Sequence, residues 1–167
     1  MSVFAESNIE FDFTRAASAI QHDKPTPGHG NSIWKGVDFC IQDGEEQLWL
    51  EVKSWDPSHI APMRRGGSRR SFLCKMKSRA FTAEILLKFL GTTAFLAWTN
   101  NFTLAQTTYV LLFQPPRPLD AALLVTFQSR IASRISRPKI WREPIFVAVL
   151  NLAEWNQRYP DYPARTL

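Results

Sequence analysis

Apolar positions alternate with polar ones over residues 37–41 and again over residues 48–53, with Asp43 and Gly44 between them. Period-two alternation interrupted by Asp-Gly predicts two antiparallel strands joined by a tight turn. Ile33 and Trp34 allow one more strand in front. Upstream, Phe13, Ala16, Ala17 and Ile20 recur at i, i+3, i+4 and i+7, which predicts a short helix starting near Asp12, a good N-cap, and ending by His22. Residues 56–71 hold Pro57, Pro62, Gly66 and Gly67 among arginines and read as a surface loop. A helix then carries Phe81, Ile85, Lys88 and Phe89 in one stripe with Leu86 and Leu87, and Gly91 is its expected stop. Residues 92–102 fit helix or strand. Further on, residues 108–113 read as a strand, 119–136 as a helix, 145–150 as a strand and 153–158 as a short helix before a proline-containing tail. This order predicts an α/β fold, a mixed β-sheet flanked by helices.

Length and composition narrow the reading. A chain of 167 residues, 45% hydrophobic and 21% charged, suits one compact domain over 1–167. The apolar runs, such as residues 121–125, fall far short of the roughly 20 residues of a membrane span, so a soluble, cytoplasmic protein is expected. Cys40 and Cys74 lack metal-ligand spacing and read as reduced thiols.

Charge is unevenly distributed. Residues 1–56 carry ten acids and four bases, whereas residues 57–142 carry fourteen bases against Glu84 and Asp120. Residues 63–79 alone hold seven bases and no acid, with glycines for close approach and Phe72 available to stack on a base. Arg64, Arg65, Arg69, Arg70, Lys75, Lys77 and Arg79 are therefore the candidate contacts to a nucleic-acid backbone. Arg130, Arg134 and Arg137 form a second basic stripe, and Trp49 and Trp55 are candidate stacking platforms.

Side chains alternate across a strand, so Glu51 and Lys53 share one face with Trp49, while Leu48, Leu50 and Val52 take the other. Asp38 shares a face with Cys40. If the turn holds an even number of residues, Asp38 falls on the face of Glu51; an odd number separates them. Two carboxylates on adjacent strands repel. A divalent cation offsets that repulsion, and Lys53 is then placed to hold an attacking water or to neutralise charge on a phosphate.

Asp38, a turn and Glu51-Val52-Lys53, set in apolar strands, resemble the PD-(D/E)xK nucleases, whose restriction-endonuclease-like αβββαβ core matches the element order over roughly residues 5–115. Lys35-Gly36-Val37-Asp38 with Glu51-Val52-Lys53-Ser54 is also similar to the pattern of archaeal Holliday-junction resolvases. The resemblance implies an Mg²⁺- or Mn²⁺-dependent nuclease, with DNA a likelier substrate than RNA. Asp38, Glu51 and the Val52 carbonyl would bind the metal, and Lys53 would position the water. A further acid commonly comes from the first helix; Glu10 is preferred over Glu6 and Asp12. Lys75 or Lys77 would approach from the following helix, and a homodimer or a place in a larger complex is compatible with the family. The alternative is an inactive nuclease-like module that binds nucleic acid or an acidic partner protein.

Overall fold

The computed structural model describes residues 3–22, 36–55, 61–99, 106–115, 121–135 and 145–167. Its centre is a five-stranded mixed sheet built from β3 (Ser18–Gln21), β4 (Phe39–Asp43), β5 (Glu46–Ser54), β6 (Gln106–Gln114) and β7 (Phe146–Leu150), which lie side by side in that order. The pairs β3·β4 and β4·β5 are antiparallel, and β5·β6 and β6·β7 are parallel. A 3₁₀ turn at Pro62–Arg64 leads into α1 (Arg65–Lys77) and α2 (Arg79–Trp98), which connect β5 to β6; α3 (Ala121–Ile135) connects β6 to β7. These helices cover one face of the sheet. The other face lies under α4 (Leu152–Arg158) and a small antiparallel sheet of β1 (Val3–Glu6), β2 (Ile9–Asp12) and β8 (Ala164–Thr166), in the order β1, β2, β8.

Alternation sorts the core into two layers. On the helix side Trp49, Tyr109, Leu111 and Phe113 meet Phe81, Ile85, Phe89, Phe127 and Ile131. On the opposite side Phe39, Leu48, Leu50, Val52, Val110 and Leu112 meet Ile9, Phe11, Phe13 and Trp155. β6 is buried on both faces from Thr107 to Phe113, as expected of a strand with parallel neighbours on either side. In α2, seven buried residues face this core, although the helix is long and apolar enough, by length and composition, to cross a membrane.

The amino-terminal segment departs from expectation. Residues 12–22 form no helix: Asp12 ends β2, and its carboxylate accepts hydrogen bonds from the Thr14 amide and hydroxyl, a local turn in place of a helix cap. The period-two set Ile9, Phe11 and Phe13 is fully buried, whereas Ile20 of the helical set remains 47% exposed. Alternation prevails because it buries three large side chains, two of them aromatic. Ser7 and Asn8, both at positive φ, close the β1–β2 hairpin.

Three other expectations also change. Helix α1 begins at Arg65, inside the expected loop, with Gly66 and Gly67 in its first turn. Gly91 does not stop α2; burial of Phe89, Thr92 and Leu96 offsets the cost of about 1 kcal/mol for a glycine in a helix, and residues 92–98 are helical. The tail contributes β8, which pairs with β2 and is tied to α4 by the Asn156 side chain, which accepts from the Ala164 amide and donates to its carbonyl. Ile33, Trp34 and residues 56–60 lie outside the described residues.

The β4–β5 connection has the two-residue form. Asp43 pairs with Glu46, leaving Gly44 and Glu45 as the loop, with Gly44 at φ 56°. A Cβ at Gly44 would meet no atom within 4 Å, so Gly44→Val tests backbone strain alone. It should destabilise the fold by about 1–2 kcal/mol in urea unfolding, because a β-branched residue resists positive φ; an unchanged midpoint would contradict the turn geometry.

Candidate active site

The even-numbered loop fixes the site. Phe39 pairs with Leu50, and continuing this register by one step sets Asp38 opposite Glu51. Asp38 is anchored at the start of β4 by three contacts. Its carbonyl accepts from the His22 amide at 3.0 Å. The neighbouring Val37 amide donates to Thr92 Oγ1 at 2.8 Å, and that hydroxyl donates to the Lys88 carbonyl at 3.0 Å. Gly36 lets the chain pass: a Cβ there would lie 3.3 Å from His22 Cβ and 3.4 Å from Thr92 Oγ1. The Asp38 carboxylate then turns back onto β5 and accepts from the Val52 amide through Oδ2 at 2.6 Å.

Asp38 and Glu51 are 2% and 0% exposed, which makes an uncompensated pair of charges untenable. The compensation comes from Lys88 of α2. Its ammonium lies 2.9 Å from Asp38 Oδ1 and 2.9 Å from Glu51 Oε1. Lys53 Nζ is 2.8 Å from the same Glu51 Oε1 and 3.1 Å from Glu84 Oε1, and Lys75 Nζ is 3.1 Å from Glu84 Oε2. Three acids and three lysines thus alternate in one chain, Asp38, Lys88, Glu51, Lys53, Glu84, Lys75. It runs from the buried core to a lysine that is 60% exposed.

The protonation states follow from this gradient. Burial, reinforced by the charge of Glu51, pushes the Asp38 carboxyl up to about 8, against the opposing pull of Lys88 and the Val52 amide. Burial likewise raises Glu51, with Lys88 and Lys53 opposing. For Lys88 and Lys53 burial works against the ammonium, but their attraction to the carboxylates prevails and holds both protonated. Glu84 is shifted down: burial alone would raise it, but its bonds to Lys53 and Lys75 and their charges together outweigh that penalty. Glu51 Oε2, Trp49 Nε1 and the Tyr109 hydroxyl are buried with no hydrogen-bond partner among the described residues. All three belong to the helix-side face, Trp49 and Tyr109 being partners in the β5·β6 register. Such atoms are rare in folded interiors, and these three lie on the sheet face that carries the paired acids.

Asp38, Glu51 and Lys53 therefore meet as the sequence spacing anticipates, and Lys75 rather than Lys77 reaches the cluster. Lys88 and Glu84 were missed. Lys88 reads as part of an apolar stripe, although its i, i+4 spacing from Glu84 on a helix otherwise free of acids was the available signal. Glu10 is not part of the cluster: it lies on β2, not on a helix, and is ion-paired with Arg165 of β8. Glu6 contacts Ser7 and Gln21. Among the described residues no group of three or more His, Cys, Asp or Glu side chains is placed to hold a metal. The donor chemistry of the pair nonetheless fits a hard divalent cation, since two carboxylates, one with an orphaned buried oxygen, supply the one or two protein ligands that Mg²⁺ ordinarily takes.

The basic segment is a helix beside the open end of this chain. Arg65, Arg70, Lys75 and Lys77 are exposed on it and Arg69 lies on the same helix, with Arg64 exposed in the preceding 3₁₀ turn and Arg79 exposed at the start of α2. Phe72 is not available to a base: it is partly buried and stacked on Phe113 with ring centroids 5.4 Å apart. Trp49 is buried as well, and the Trp55 indole donates to Ser68 Oγ. Arg130 is committed to the carbonyls of Met76 and Lys77 at the end of α1, while Arg137 lies outside the described residues. Both cysteines are free thiols, Cys40 partly buried and Cys74 exposed on α1.

The site predicts a pH dependence. The folded pKa of Asp38 lies above its unfolded value near 3.8, so the folded state holds this proton more tightly. Its contribution to stability is complete below pH 3.8 and declines as pH rises to about 8. Urea unfolding of wild type and Asp38→Asn between pH 5 and 8.5 should therefore show wild type losing stability relative to the variant as pH rises. A pH-independent difference would contradict the assignment.

No family description, curated protein or solved structure matches the chain.

Proposed function

We propose that this protein is a metal-dependent nuclease that hydrolyses phosphodiester bonds of DNA, built on a restriction-endonuclease-like core. The observation that carries the reading is the convergence of Asp38, Glu51 and Lys53 on one buried sheet face, produced by the strand register and opening towards a helix rich in arginine and lysine. The element order β3, β4, β5, α1–α2, β6, with β6 parallel to β5, supports the βββαβ part of the core; its opening helix is absent among the described residues.

Asp38 and Glu51, with the Val52 carbonyl, would hold Mg²⁺ or Mn²⁺. The bound ion would supply Lewis acidity at a phosphoryl oxygen and acidify a coordinated water. Lys53, held between Glu51 and Glu84, positions the attacking water and faces the charge that develops on the phosphate. Arg64, Arg65, Arg69, Arg70, Lys77 and Arg79 track the backbone of the polyanion. With all three acids ionised the acid–lysine chain is balanced in charge, and a divalent ion would make it a net cationic site suited to a phosphodiester.

One observation favours a second reading, a nuclease-like module that binds nucleic acid or an acidic partner without cutting: the Lys88 ammonium already bridges the two acids, 2.9 Å from an oxygen of each. Cleavage separates the two. Purified protein with Mg²⁺ should degrade DNA, and Lys53→Ala should slow cleavage by about 10²-fold or more, with Asp38→Ala abolishing it and both variants keeping the wild-type circular dichroism. Equal activity in all three, or metal-independent binding without cleavage, would contradict the nuclease mechanism.

A further inference from the structure

Lys88 holds one oxygen of each acid, leaving Glu51 Oε2 without a hydrogen-bond partner among the described residues. Its ammonium bridges Asp38 Oδ1 and Glu51 Oε1 at 2.9 Å each, with only 12% of the side chain exposed. The remaining oxygen of Asp38 is committed to the Val52 amide, and Glu51 Oε1 also receives Lys53. A cation that joins both carboxylates must therefore take an oxygen of Asp38 already bound to a donor.

Mg²⁺ requires near-ideal octahedral geometry with oxygens at about 2.0–2.1 Å, and a lone pair directed at an ammonium is not offered to a metal. A divalent ion and an ammonium sharing the same buried carboxylates also repel each other strongly, because little solvent screens them. The helix backbone around Lys88 has no comparable freedom: Ile85, Phe89 and Thr92 are buried, and Thr92 ties α2 to Val37. The long lysine stem is the part able to move.

We propose that Lys88 is a resident counter-cation of the acid pair, which a divalent metal must displace in order to bridge Asp38 and Glu51. The inference rests on the reading of those two residues as metal ligands. It assigns Lys88 a positioning role: the ammonium keeps the acids together in the metal-free protein and sets a threshold for metal loading. The same side chain therefore weakens metal affinity while permitting the site to fold.

Calorimetric titration of the full chain with Mn²⁺ tests this. Lys88→Met, which keeps the length of the stem and removes the charge, should bind Mn²⁺ at least about tenfold more tightly than wild type, and Lys88→Arg should stay near wild type. Adding Asp38→Asn to Lys88→Met should abolish the gain. Equal or weaker binding by Lys88→Met than by wild type would overturn the role of Lys88 while leaving the metal site standing. Absence of Mn²⁺ binding in both proteins would overturn the metal reading itself, and this inference with it. Because Lys88→Met leaves two buried acids with less compensation, a measurement on wild type stands beside it. In lysine-labelled protein, the Lys88 side-chain NMR signal, identified by its loss in Lys88→Arg, should shift and saturate in step with Mg²⁺ binding. A signal that stays fixed while Mg²⁺ binds would overturn the proposal.

Discussion

The Lys88 ammonium between Asp38 and Glu51 is the contact on which the arrangement of β4, β5 and α2 depends. Two carboxylates on adjacent strands, almost wholly shielded from water, repel each other and favour their protonated forms, and a cation that meets both offsets part of that cost. Helix α2 brings that cation, and one turn later the same helix offers Thr92 Oγ1 to the Val37 amide, so a single stretch of helix fixes both the charge and the backbone of Asp38. Removing the ammonium leaves a buried repulsive pair, and removing the carboxylates leaves a buried lysine. The parts are mutually dependent, as expected of a buried ionic network.

The layers around the cluster divide the work. On the far side of the sheet Phe4, Phe11, Phe13 and Phe39 pack with centroids 5.3–6.0 Å apart, and Trp155 closes the layer with its indole donating to the Tyr162 carbonyl. This apolar slab holds β4 and β5 in register, which in turn keeps Asp38 opposite Glu51. The helix side carries the polar cost: paired acids with raised pKa values and, among the described residues, buried polar atoms of Glu51, Trp49 and Tyr109 without hydrogen-bond partners. Apolar packing is thus concentrated on one face and buried charge on the other, where the alternating charges lead outward to Lys75 beside the exposed bases of α1.

Much of this was legible from local pattern. Asp-Gly between alternating runs marked the β4–β5 hairpin, and the parity of its loop decided whether the acids met. The apolar runs of β6 and β7 and the stripe of α3 were equally plain, since each is bounded by polar or proline-rich sequence. What stayed hidden depended on tertiary partners. Phe13, Ala16, Ala17 and Ile20 have helical spacing by coincidence, and only the small sheet formed with β8, from the far end of the chain, makes the competing alternation of Ile9, Phe11 and Phe13 the stable choice. Lys88 was concealed because a lysine within an apolar stripe resembles a side chain whose stem lies along the core while its head reaches water. Its true partners lie 50 and 37 positions away, so nothing local announces them. Phe72 and Trp49 looked like stacking platforms because composition does not reveal which aromatic faces the core claims.

The central claim is that Asp38 and Glu51 form a metal site whose place is held by Lys88. A crystal soaked in Mn²⁺ and measured at the manganese absorption edge tests it most directly. The account predicts an anomalous peak within bonding distance of one oxygen each of Asp38 and Glu51, with the Lys88 ammonium moved off both. Soaked crystals with no peak at these carboxylates, and Lys88 still bridging them, would contradict it.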